Sequence, residues 1–203
     1  MEVKIRKPFL GDYPITQKFG EALAWYVEKV GYPHNGIDFA MKEGTLILAC
    51  DAGKVCYADN IPDTNGLGIN VLHSWGLSQY WHLSKLSAIF GQEVKRGDTL
   101  GYSGSTGFAT GPHLHFGIKV NGVDVPGMRG WANPADFFDE SVVDPSPSPI
   151  VPRTYLVRPG DTLWRISENF YGNGIYWRKI FDANKSLIKD PNKIYPFWVL
   201  KIP

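Results

Sequence analysis

Five histidines are spread over this chain of 203 residues, and two of them, His113 and His115, stand one residue apart in TGPHLHFGI, Thr110 to Ile118. In a strand, successive side chains point to opposite faces, so these two imidazoles share one face while Leu114 and Phe116 take the other. Upstream, His34 opens HNGIDFA and Asp38 follows four residues later. Asn35-Gly36 is a strong turn signal, so a loop rather than a helix is expected to bring His34 and Asp38 together. Catalytic zinc takes three protein ligands and keeps a fourth position for water or substrate. His34, Asp38 and one of the HLH pair would supply such a set. The other histidine of the pair would then lie beside the metal, free to hydrogen-bond a water or a developing oxyanion. The competing reading is structural, since an isolated strand histidine is more often a hydrogen-bonded framework residue than a ligand.

The elements that must hold these groups are short runs rich in β-branched and aromatic residues: TLILAC, KVCYA, GINVLHS, LSQYWHLS and HLHFGIKV. Turn signals fall between them (DAGK, KRGD, and NG at Asn65 and Asn121), which predicts a mainly antiparallel β domain of hairpins. Only Glu21 to Val30 reads as a weak helix. Cys50 and Cys56, the two cysteines, flank DAGK; they could pair across a hairpin there, with two small buried thiols as the preferred expectation. The glycines of GYSGSTGFATG, Gly101 to Gly111, resemble a phosphate loop superficially, but no Gly-Lys-Ser/Thr follows.

A composition that is 43% hydrophobic and 20% charged is that of an ordinary folded protein. No apolar run approaches the roughly 18 residues of a membrane span, and the first ten residues are too charged for a signal-peptide core. The net charge of +1 conceals an asymmetry: from Thr154 onward there are eight Lys/Arg against four Asp/Glu, and before it 13 against 16. Nothing in that balance calls for nucleic acid as a partner. DPSPSPIVPR, Asp144 to Arg153, cannot build a core and reads as a semi-rigid linker. The expected division is therefore 1–140, a linker over 141–153, and 154–203. Past the linker the period changes to helical, with Leu163, Ile166 and Phe170 behind a candidate N-cap at Asp161, then Trp177, Ile180, Phe181 and Asn184. VLKIP closes a strand, helix, helix, strand order.

The stretches HNGIDFAMKEGTLILACDAGKV, YWHLSKL and GQEVKRGDTLGYSGSTGFATGPHLHFGI closely resemble the zinc endopeptidases of the LytM/lysostaphin type, peptidase family M23, in the right order from about Phe19 to Ile118. The resemblance implies that His34, Asp38 and His115 bind one Zn²⁺ per chain and that His82 and His113 are the catalytic histidines. It makes the glycine-rich segment a wall of the substrate groove. Tyr80, expected to share the face of His82, and His73 are candidate substrate contacts, with packing as the competing reading for both. The C-terminal stretch resembles a LysM domain through Tyr155, Val157, Pro159 to Leu163, Ile166, Ala183-Asn184 and Leu200-x-Ile202-Pro203. That implies a βααβ fold binding N-acetylglucosamine glycans, with contacts from Gly160, Asp161, Thr162, Leu163, Ile188 and Ile194. Where that family usually has Gly-Gln before the last strand, this chain has Pro196-Phe197-Trp198. Trp164, Tyr171, Trp177 and Trp198 are expected to serve the core of so small a domain.

The whole implies a monomeric peptidoglycan hydrolase without membrane insertion, its peptidase held near the wall by LysM. A phage or prophage lysin is the preferred context, with a bacterial autolysin as the alternative. The rival reading is an inactive wall-binding scaffold of the same fold that activates another hydrolase. Retention of all five ligand and catalytic positions favours the enzyme.

Overall fold

The computed structural model describes residues 2–59, 66–139, 141, 153–171 and 174–202. The expected linker lies outside these residues apart from its two ends. The chain forms two compact units, one carrying nearly all the described residues up to Ser141 and the other those from Arg153 to Ile202. No helix among the described residues is long and apolar enough to cross a membrane.

The first unit is mainly antiparallel β. Its strands are β1 (Ile15–Gln17), β2 (Ile37–Ala40), β3 (Leu46–Leu48), β4 (Gly53–Asp59), β5 (Leu67–His73), β6 (Gly76–Leu86), β7 (Glu93–Val94), β8 (Thr99–Ser103) and β9 (His113–Val120), with one helix, α1 (Ala24–Val30). The main sheet runs β1-β2-β9-β6-β5-β4-β7, and β8 joins it through β6 while also pairing with β3. β9 lies between β2 and β6, so most of its residues are buried although HLHFGIKV alternates polar and apolar side chains. Leu114 and Phe116 of β9 point into the core with Phe39 and Ile37 of β2 and Tyr80 of β6. Full burial of each such side chain stabilises the fold by roughly 1.5–3 kcal/mol. The opposite face of β2, β9 and β6 carries the polar residues of the site.

DAGK is not a hairpin turn, which corrects that expectation and removes the alternative in which the cysteines pair across it. β3 pairs with β8 and β4 with β5 and β7, so the strands on either side of DAGK diverge. Cys50 and Cys56 are both free thiols; Cys50 is fully buried and burial pushes its pKa up to about 11. The tightest hairpin lies instead at Ser74-Trp75, between β5 and β6. KRGD likewise joins strands that do not pair with one another. Helix α1 is shorter than the expected ten residues and buries no side chain.

The second unit has the expected order: β10 (Arg153–Leu156), α2 (Leu163–Tyr171), a short 3₁₀ turn over Gly174–Tyr176, α3 (Trp177–Ala183) and β11 (Val199–Ile202), with β10 and β11 antiparallel. Val157, Leu163, Ile166, Ile180, Ile188, Leu200 and Ile202 form its core. The N-cap of α2 is Thr162, whose Oγ1 accepts from Arg165 N at 3.1 Å, rather than Asp161. Asp161 instead closes the preceding turn, accepting from Arg158 N and Tyr155 Oη. Asn184 ends α3 and behaves as a surrogate strand: its Oδ1 accepts from Lys201 N and its Nδ2 donates to the Lys201 and Ile180 carbonyls.

The Pro196-Phe197-Trp198 departure keeps the last turn pinned. Phe197 N donates to Val157 O and Val157 N to Trp198 O, both at 2.8 Å. Phe197 takes a left-handed backbone, φ 71°, a conformation that suits glycine better, and its ring is 78% exposed. Trp177 and Trp198 pack against the core as expected, whereas Trp164 remains half exposed; the Tyr171 side chain lies outside the description.

Candidate metal centre

His34 follows the turn after α1, Asp38 lies on β2 and His115 on β9, where the antiparallel register sets Asp38 opposite His115. Their inward atoms form a small triangle. His34 Nε2 and His115 Nδ1 are 2.9 Å apart, His115 Nδ1 and Asp38 Oδ1 2.9 Å, and His34 Nε2 and Asp38 Oδ1 3.1 Å. Gly36 permits this approach, since a Cβ there would meet the His115 ring at 2.8 Å and Phe116 O at 2.4 Å. The Asn35-Gly36 turn thus serves the site through its lack of a side chain.

This donor set fits a divalent ion. His34 Nδ1 donates to the Lys18 carbonyl at 3.1 Å, leaving Nε2 as a lone pair. His115 has one inward proton at most to share between that lone pair and the Asp38 carboxylate. Two acceptors 3.1 Å apart with one shared proton are short of positive charge, which a cation supplies. Tetrahedral zinc with bonds of about 2.0–2.1 Å needs ligand atoms about 3.3 Å apart, a few tenths beyond the edges seen here. Among the described residues these three form the group of histidine and acidic side chains able to hold a metal. Burial alone would raise the Asp38 pKa, but the adjoining His115 and His34 imidazoles outweigh it and hold the carboxyl well below the usual range.

Two further imidazoles flank the triangle. His82 Nδ1 donates to Thr106 O and His113 Nδ1 to Gly111 O, each at 2.8 Å, so in each ring Nε2 is the nitrogen left to exchange a proton. Their ring centroids lie 4.6 Å apart, and His113 Nε2 is 3.7 Å from Asp38 Oδ2. Burial, followed by the neighbouring His115 and His113 rings, lowers the His82 pKa to about 4. Thr106 is itself fixed, its Oγ1 donating to Leu83 O and accepting from Leu67 N. The glycine-rich segment therefore orients a histidine as well as forming a wall.

Tyr80 does not share the face of His82. A bulge intervenes: from Ile69 to Leu67 on β5 is two residues, while their partners Tyr80 and Leu83 on β6 are three apart. His82 takes up the extra residue with φ 64°, so Trp81 and His82 both turn toward the site while Tyr80 stays in the core. Tyr80 Oη accepts from Cys50 N at 2.9 Å and meets Ser78 Oγ, which also bonds His73 Nε2. His73 is buried, stacked on Trp75 and held by Ala52 O. Neither residue lines the groove, and both are packed in the interior.

The groove itself, of about 590 Å³, runs over the triangle. Its walls include Trp25, Tyr26, Tyr32, Trp81, Phe108 and Trp131, none of which sequence spacing singled out. Gln79, two residues before Trp81 on β6, is also new: its amide lies 3.0 Å from His115 Nε2 and accepts from Trp81 Nε1 at 3.3 Å. In the second unit, Leu163 and Ile188 are buried core residues rather than free contact side chains, while Gly160 and Thr162 are exposed and Asp161 and Ile194 half-buried.

Residues 32–126 match peptidase family M23 and residues 155–203 the LysM domain. The catalytic domain of the antimicrobial peptidase lysostaphin from Staphylococcus simulans has 32% sequence identity, with 62% of this chain and 91% of that one covered and a TM-score of 0.52. The chain belongs to peptidase family M23. This M23 chain is also similar to a zinc-containing peptidase from Vibrio cholerae, at 33% identity over 62% of this chain and 40% of that one, with a TM-score of 0.51. Among curated relatives, the peptidoglycan DD-endopeptidase ShyA of Vibrio cholerae is 36% identical over 124 residues, 61% of the M23 chain and 29% of ShyA. The chain spans less than a third of the length of the first curated relatives it matches.

Proposed function

We propose that this protein is a zinc-dependent endopeptidase that cuts peptide bonds in peptidoglycan, with its LysM unit holding it at the wall. The observation that carries this reading is the triangle of His34, Asp38 and His115 beside two imidazoles whose Nδ1 protons are already committed to backbone carbonyls. One zinc ion held by the three ligands would supply Lewis acidity and a water acidic near pH 7.

The chain's own residues then handle substrate and protons. The aromatic groove orients an extended peptide over the triangle. Either His82 or His113 accepts the proton of the attacking water at Nε2 and returns it to the leaving amine nitrogen. The other, carrying a proton on Nε2, donates a hydrogen bond to the oxyanion. Burial of this site keeps competing water away from both transfers. The similarity to ShyA supports peptidoglycan stem peptides as the substrate, and the LysM match supports N-acetylglucosamine glycan as the ligand of the second unit.

Turbidity of purified peptidoglycan, followed with wild type and His115→Ala while zinc is counted in both, tests the reading. Clearing by wild type with one zinc per chain, and loss of both clearing and zinc in the variant, is the expected result. A zinc-loaded wild type that binds the wall and never clears it would overturn the reading in favour of the scaffold.

A further inference from the structure

Three cations each stack on a different aromatic residue of the groove wall. Lys29 Nζ lies 3.1 Å from the centre of the Phe108 ring, Lys119 Nζ 4.7 Å from that of Trp131, and the Arg129 guanidinium 4.9 Å from that of Tyr32. Phe108, Trp131 and Tyr32 all line the cavity. Among the described residues, no carboxylate lies within ion-pair distance of any of the three cations. The one carboxylate in the groove lining, Asp38, is committed to the histidines.

Arg129 is the most constrained of the three. It sits at the apex of a tight turn, with Trp131 N donating to Met128 O, and both Met128 and Trp131 are buried. Its own backbone is left-handed, φ 51°, a conformation that a non-glycine residue adopts only when its surroundings impose it. The buried anchors on either side thus fix the backbone of Arg129, whose guanidinium stacks on Tyr32 of the groove wall. A guanidinium stacked on an aromatic face keeps its N–H edge open, and that edge matches a carboxylate with two parallel hydrogen bonds. Three unpaired cations around a concave, aromatic-walled site also attract anions from a distance.

We infer that the groove selects peptides bearing a free carboxylate beside the scissile bond, and that Arg129 receives that carboxylate while Lys29 and Lys119 add to the attracting field. The inference rests on the peptidase reading of the site and deepens it. It favours an acidic stem peptide over a neutral bridge built of glycine alone.

Two fluorogenic peptides test this, identical except that one carries a free carboxylate next to the scissile bond and the other a carboxamide. They are given to the full-length, zinc-loaded protein. Wild type is expected to prefer the carboxylate peptide by about tenfold in kcat/KM, expressed mainly in KM and narrowing as salt rises. Arg129→Gln should bring the two peptides to within about twofold of each other, and Arg129→Lys should keep part of the preference. Equal treatment of both peptides by wild type, or a preference untouched by Arg129→Gln, overturns the inference. Should wild type cut neither peptide, the peptidase reading fails separately. In that case the dissociation constants of both peptides, from tryptophan fluorescence of the same protein, still decide: a ratio near one overturns carboxylate selection and a ratio near ten sustains it.

Discussion

Each of the four imidazoles at the centre has its outward nitrogen engaged before any ligand arrives. For His34, His82 and His113 the partner is a backbone carbonyl, which fixes both tautomer and ring orientation. His115 differs, because its Nε2 meets the side-chain amide of Gln79. When His115 Nδ1 binds a metal, its Nε2 carries the proton and needs an acceptor, which an amide can present by turning its carbonyl inward. Gln79→Leu removes that acceptor while keeping similar bulk. Zinc affinity, measured by competition with a chromogenic chelator, should fall about 10–100-fold, and the far-ultraviolet circular dichroism should stay unchanged. Affinity within twofold of wild type would mean that Gln79 serves Trp81 and not the metal ligand.

Elements act here by register and by its local violation. Antiparallel pairing of β2 with β9 places Asp38 opposite His115, and pairing of β9 with β6 places Trp81 opposite His115 from the other side. The bulge at His82 then adds a second inward residue where alternation allows one. In the second unit a single side chain has a comparable role, since Asn184 ties α3 to β11 with three hydrogen bonds. Asn184→Ala leaves the Lys201 amide and carbonyl without those partners. At about 1 kcal/mol per lost bond, the unit should be destabilised by about 2–3 kcal/mol. Thermal unfolding of the full chain, followed for a separate transition of this unit, measures it; a shift under about 0.5 kcal/mol would show that water replaces the amide at no loss.

At the scale of the whole molecule, two units of unlike chemistry share one chain. A weak wall binder raises the local concentration of a tethered peptidase at an insoluble polymer without altering its chemistry. Removing residues 149–203 should therefore lower clearing of intact peptidoglycan by about tenfold or more while leaving kcat/KM on a soluble peptide within about twofold. Equal losses on both substrates would show that the second unit supports the fold of the first instead of delivering it. The same view covers metal removal. An ion that binds only the folded protein stabilises it by about 2.7 kcal/mol at a hundred times its dissociation constant, so a chelator should lower the melting temperature of the first unit. An unchanged melting temperature would mean that the three ligands are held in place without the ion.

The choice of His115 and the places of His82 and His113 came from the resemblance to family M23, whereas residue types and spacing pointed to His34, Asp38 and one histidine of the HLH pair, to the mainly β character of the first unit and to the strand, helix, helix, strand order of the second. These are legible in sequence because ligand chemistry admits few residue types and because hydrophobic period follows directly from backbone geometry. Only the tertiary structure decided the rest. His82 joined Trp81 on the groove side while Tyr80 stayed in the core because one bulge shifted the parity of β6, and a single extra residue leaves no trace in hydrophobic alternation; His73, on β5, is buried against Trp75 and Ala52 O. Cys50 and Cys56 stayed apart because DAGK joins strands that pair with other partners. The three cations stacked on the groove's aromatic wall come from α1, β9 and the turn at Arg129, brought together from 100 residues of chain between Lys29 and Arg129. Such a cluster is set by long-range packing, so no local pattern of residues announces it.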